Sequence, residues 1–141
     1  MILFCSSPYE GNIQGKNYDD LDVWSNAYNA ALKTCRLASK SLKRDGKLVL
    51  VGSIVGYLKT ISGSCVPYSV FKGSLSLLVE GFNKEIGDKA HYINLGSFRE
   101  KADDTCLEVN EVVKKISDIM NGNINNSQVN LMCKNEEEKY I

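Results

Sequence analysis

An unbroken aliphatic run, Leu48-Val-Leu-Val51, leads straight into Gly52-Ser53, and it limits the folds open to this chain more than any other segment. A strand with one wet face alternates apolar and polar residues. A continuous run instead suits a parallel strand covered by helices on both faces. The chain of 141 residues can bury one core but leaves little room for a second domain.

The flanking segments repeat this logic. Ile2 to Ser6 reads as a short opening strand, and Asp19, Asp20 or Asp22 can accept from the free N–H groups that start a helix. That helix runs to about Lys43 and repeats small or apolar residues at Ala27, Ala31, Ala38 and Leu42. Trp24 is most simply a core anchor. Gly46 closes the turn into the aliphatic strand, and Pro67 fits the first turn of the next helix. In that helix Phe71, Leu75, Leu78 and Phe82 form one stripe. Val70, Gly73, Leu77 and Gly81 form a second apolar or small-residue surface, suited to a neighbouring helix or a second subunit. His91 to Leu95 reads as a third strand. Thr105 and Glu108 then make a capping-box pattern ahead of Val109, Val112, Val113, Ile116 and Met120, with Asn121-Gly122 as the stop. Gln128 to Cys133 reads as the last strand and 134–141 as a frayed, charged, flexible tail. Alternation of strands and helices with short loops predicts an α/β fold with a mostly parallel sheet of about four strands, three main helices and right-handed crossovers.

Composition removes several functions. Lys plus Arg equals Asp plus Glu at 17 each, without a basic stripe, so nothing points to nucleic acid or an anionic membrane. No segment is long and apolar enough to span a bilayer, and Met1-Ile-Leu-Phe lacks the features of a signal peptide. Five cysteines are an odd number; without a Cys-x-x-Cys pair they fit reduced thiols in the cytoplasm, with neither a disulfide scaffold nor a metal site. His91 is the single histidine, which argues against Ser-His-Asp or Cys-His nucleophile systems.

Tyr68-Ser-Val-Phe-Lys72 carries the chemistry. On a helix, residues four apart share a face, so Lys72 can hold its ammonium near the Tyr68 phenol and favour the phenolate. An isolated phenol, with a pKa of about 10, is a poor proton-transfer group at neutral pH, and a neighbouring cation brings it toward the working range. Ser53 sits where an apolar strand ends, the edge at which open α/β sheets bind ligands, and its hydroxyl can donate to and accept from a reacting oxygen. Among the tyrosines only Tyr68 has a lysine four positions on.

This order of elements resembles the short-chain dehydrogenases/reductases. It comprises Asn26 in a helix, Lys47-Leu-Val-Leu-Val-Gly-Ser-Ile-Val-Gly56, Tyr68-Ser-Val-Phe-Lys-Gly-Ser-Leu75 and His91-Tyr-Ile-Asn-Leu-Gly96. The resemblance spans the chain as a single half-domain, 1–141, and covers the second half of the family's partial Rossmann-like pattern. The Gly-rich turn of the first half has no counterpart, since Asn17 stands where a third glycine would follow Gly11 and Gly15. Cys5-Ser-Ser-Pro8 and Asn94-Leu-Gly-Ser97 also depart from the family's usual motifs.

The resemblance implies an NADH- or NADPH-dependent oxidoreductase. Ser53, Tyr68, Lys72 and Asn26 would be its catalytic residues, and Ser6, Ser7, Tyr68, Lys72 and Gly96 its cofactor contacts. Its substrate would be a small carbonyl compound or a quinonoid dihydropteridine. The pterin expectation comes from a likeness to dihydropteridine reductases in Asp22-Val-Trp24, Ser41-Leu-Lys-Arg-Asp-Gly46 and the Asn-rich approach to the last strand. The two long helices would join copies into a homo-oligomer. The alternative is an inactive remnant of such a reductase that acts at most as an oligomerisation or binding module.

Overall fold

The computed structural model describes residues 2–4, 21–56, 66–100, 103 and 105–140. In chain order they form β1 (Ile2–Phe4), α1 (Leu21–Ser41), β2 (Leu48–Val51), a single 3-10 turn (Ile54–Gly56), α2 (Val66–Ile86), β3 (Ala90–Leu95), β4 (Phe98–Arg99), β5 (Leu107–Glu108), α3 (Val109–Met120), β6 (Gln128–Leu131) and α4 (Lys134–Tyr140). The main sheet is parallel throughout, in the order β1-β2-β3-β6. The fold is thus the α/β type read from the sequence, with a small parallel sheet between helices.

The aliphatic run lies at the centre of this sheet, with all of β2 buried. Leu48 and Leu50 face the cluster built by Ala31, Cys35 and Ala38 of α1 and Phe71, Leu75, Val79 and Phe82 of α2. Val49 and Val51 face the opposite way, onto Val112, Ile116 and Ile119 of α3. Each fully buried aliphatic or aromatic side chain here contributes about 1.5–3 kcal/mol relative to exposure.

This division of helices has a consequence for chain direction. All three β-α-β crossovers of the sheet advance the same way across it, yet α1 and α2 cover one face and α3 the other. The third crossover therefore has the opposite hand to the first two, so uniform right-handedness, the expectation from short loops, does not hold. The connection from β3 to α3 is no short loop. It carries the two-stranded parallel ribbon of β4 and β5, which takes the chain around the sheet end before α3 begins.

Helix ends follow local chemistry. In α3 the capping box pairs Glu108 with Glu111, whose carboxylate accepts from the Glu108 N–H at 2.9 Å. The expected pair, Thr105 with Glu108, lies one turn too early because Asp103 already engages Thr105 through both its N–H, at 2.7 Å, and its hydroxyl, at 2.6 Å. Asn121 caps the helix and Gly122 follows at φ +77°, a conformation glycine adopts without steric cost. Beyond β6, which is shorter than the strand expected over 128–133, residues 134–140 form α4 in place of the frayed tail the sequence suggests. The early residues Ser6, Ser7, Asp19 and Asp20 lie outside the described residues, as does the Trp24 side chain.

Candidate functional site

Lysine rarely enters a protein interior, because its ammonium loses hydration there. Lys72 is only 5% exposed. Two features of α2 put it there: Phe71 and Leu75 on either side belong to the buried stripe, and the helix runs beside the carboxyl end of β2. The ammonium donates to the Val51 carbonyl at 3.4 Å and lies 5.6 Å from the centre of the Tyr68 ring. The i, i+4 spacing thus brings the cation and the half-buried Tyr68 together, as the sequence predicts.

Ser53 is tied to the same region through the backbone. The 3-10 turn that follows it rests directly on α2, where a Cβ on Gly56 would fall 2.7 Å from the Gly73 nitrogen and one on Gly73 would fall 2.9 Å from the Gly56 oxygen. Two glycines allow this approach, one residue beyond Lys72. Tyr92 of β3 braces the arrangement by donating its hydroxyl to the Lys72 carbonyl at 3.2 Å. The Tyr92 ring occupies the space that a side chain at residue 52 would need, so Gly52 is required between β2 and Ser53.

A cleft of about 410 Å³ opens at the carboxyl ends of β2, β3 and β6, lined by Ser53, Ile54, Val55, Leu95, Gly96, Ser97, Thr105, Cys133, Asn135 and Glu136. Its position is that of ligand sites in open α/β sheets, and its size suits a small molecule. Ser53 and Gly96, both named from sequence, share this cleft. Tyr68 and Lys72 meet each other on α2 but are not among its lining residues, and Asn26 is an exposed residue of α1.

The cleft also contains a group that the sequence does not reveal. Glu136 on the first turn of α4 accepts from the Ser97 N–H at 3.0 Å and from the Cys133 N–H at 3.2 Å, and so links the ends of β3 and β6. It comes from the polar run Lys134-Asn-Glu-Glu-Glu138, which contains nothing to distinguish one carboxylate from its neighbours. Cys133 beside it stays a neutral thiol, because burial pushes its pKa up.

Two buried polar atoms in β3 have no hydrogen-bond partner among the described residues: the His91 Nε2 and the Asn94 Oδ1. His91 lies within 2.9 Å of the Asn126 carbonyl through Nδ1, which must therefore carry the proton, and burial lowers its pKa. It is a strand residue, as the sequence implies. Asn94 donates to Asn130 at 3.2 Å, while its oxygen is an acceptor that a ligand N–H could satisfy. No group of metal-ligating side chains occurs among the described residues, and no helix among them is long and apolar enough to cross a membrane.

No family model and no curated protein matches the chain. Solved structures do match its fold. An apo SCOR enzyme from Clostridium thermocellum aligns with a TM-score of 0.78 at 12% identity, over 99% of this chain and 63% of that one. A small-chain dehydrogenase aligns at 0.74 and 11% identity, over 94% and 67% of the two chains. A short-chain dehydrogenase from Burkholderia cenocepacia in complex with NADP aligns at 0.74 and 14% identity, over 90% and 61%. The chain therefore spans about three fifths to two thirds of the length of these proteins, and the fold it shares with them is of the short-chain dehydrogenase type.

Proposed function

We propose that this chain carries the reacting part of a nicotinamide-dependent oxidoreductase of short-chain dehydrogenase type, acting on a small carbonyl compound or a quinonoid dihydropteridine. The observation that carries the reading is Lys72: an ammonium 5% exposed and 5.6 Å from the Tyr68 ring, anchored to the strand that delivers Ser53. A surface pair of the same spacing would serve solvation alone. Burial of the charge beside a phenol suits proton transfer.

The donor set fits the reacting end of NADH or NADPH. Lys72 and Tyr68 would face the ribose side, with Gly96 and the acceptor oxygen of Asn94 toward the ring. Reduction of a carbonyl needs a hydride at carbon and a proton at oxygen, and the bound dinucleotide supplies the hydride and is itself oxidised. Tyr68 gives its phenolic proton to the developing alkoxide. Lys72 stabilises the phenolate left behind, and Ser53 hydrogen-bonds the reacting oxygen so that it lies in line with Tyr68. Asn26 would assist proton resupply through its backbone.

Titration of the chain with NADH and NADPH, followed by nucleotide fluorescence, tests the cofactor part. Saturable binding is expected, and Lys72→Ala should weaken it. In a preparation that turns over, Tyr68→Phe should lower kcat by about 100-fold or more. A Phe variant with full turnover would falsify the assignment.

A second reading, association without catalysis, is favoured by one observation. A groove between α1 and α2 is lined by Tyr28, Leu32, Leu77, Leu78 and Ile86, with Leu77 73% exposed. Such a face suits pairing with a second copy. It is compatible with the first reading and alone would describe a binding module.

A further inference from the structure

Among the described residues that line the cleft at the strand ends, Glu136 is the sole acidic or basic side chain apart from the buried Cys133 thiol. We infer that it selects the substrate: this cleft accepts small molecules bearing an amine, amidine or similar N–H-rich group, and disfavours those bearing a carboxylate. The inference rests on the proposed role of Ser53, which lines this cleft and would hold the reacting oxygen, so that the substrate would lie in it.

The carboxylate is fixed in place. One oxygen accepts from the Ser97 N–H and the other from the Cys133 N–H. Gly96 lies against it so closely that a Cβ there would collide with the carboxylate. Glu136 therefore sits flush with the strand ends and is held from both sides. Each carboxylate oxygen has further acceptor capacity after one hydrogen bond, so the same group can take a ligand donor without giving up its anchors. No Lys or Arg is among the described residues that line the cleft, so toward these residues an anionic ligand would meet one negative charge and no compensating cation. A ligand cation would gain a charge-assisted hydrogen bond in a partly enclosed space.

The test uses the full chain, with ¹H–¹⁵N NMR following the Ser97 and Cys133 amides. Benzamidine should shift both amides and bind about tenfold or more tightly than benzoate. Glu136→Gln keeps the shape and removes the charge, and should cut that preference to about threefold or less. Asn135→Lys places a cation at the exposed rim without touching the Glu136 hydrogen bonds, and should also reduce it, so the idea stays testable if the Gln variant fails to fold. Equal binding of the two probes, or a preference unchanged in the folded variants, overturns the inference.

The oxidoreductase reading fails separately. A chain that oxidises neither NADH nor NADPH but keeps a Glu136-dependent preference refutes the reaction and upholds the selectivity. An active chain without that preference does the reverse.

Discussion

A Cβ on Gly52 would fall within the ring of Tyr92, whose hydroxyl is committed to the Lys72 carbonyl. Gly52→Ala should therefore destabilise the chain by about 1–3 kcal/mol through forced movement of that ring, measurable as a shift in the urea midpoint. Lys72→Met probes the opposite case: it keeps the buried stem and removes the charge. Its stability should stay within about 1 kcal/mol of the parent, because an apolar residue suits the site, while cofactor binding weakens as in Lys72→Ala. If both stability and binding survive, Lys72 has no role in the site. His91 gives a pH dependence whose sign follows from burial. Its folded pKa is lowered, so stability is full above the unfolded value of about 6.5 and falls as the pH drops through it toward the folded pKa. Urea melts at pH 7 and 5 should show this loss, and His91→Phe should flatten it. Tyr68 and Lys72 were legible in the sequence because helical spacing alone brings them together. Glu136 was not, because its partners, the Ser97 and Cys133 N–H groups, exist as a pair only once β3 and β6 lie side by side.

The first surface of α2 is used as its pattern suggests, while on the second Gly73 seats the 3-10 turn at Gly56. The Phe71, Leu75 and Phe82 stripe is buried, whereas Val70 and Leu77 are exposed. α3 is rotated from the expected setting: Val112 and Ile116 face the sheet, but Ile119 completes the buried face, leaving Val109, Val113 and Met120 exposed. Ile119→Ala should cost about 2–5 kcal/mol and Val113→Ala within about 0.5 kcal/mol. Equal losses in denaturant unfolding would mean that α3 docks differently. The misreading has a local cause: a run rich in valine and isoleucine offers several overlapping apolar stripes, and contact with the sheet chooses one. At its start, Asp103 draws Thr105 into a turn and is itself held at a pKa of about 2, chiefly by the Thr105 hydroxyl and N–H. This leaves Glu108 and Glu111 to cap the helix.

For the molecule as a whole, the groove between α1 and α2 makes self-association testable. Leu77→Glu places a charge on its most exposed apolar residue. Sedimentation velocity should show the parent as a dimer or higher assembly and the variant as monomer, and a monomeric parent would remove the second copy from consideration. The amino-acid sequence by itself determined the α/β class, the buried β2 strand, the principal helices and the meeting of Tyr68 with Lys72, since each follows from periodicity or spacing within one segment. Only the tertiary structure decided the reversed hand of the third crossover, the seating of Gly56 on Gly73, and the placement of Glu136 in the cleft. Each of these depends on two distant segments arriving at the same point, and that arrival is set by how the whole core packs.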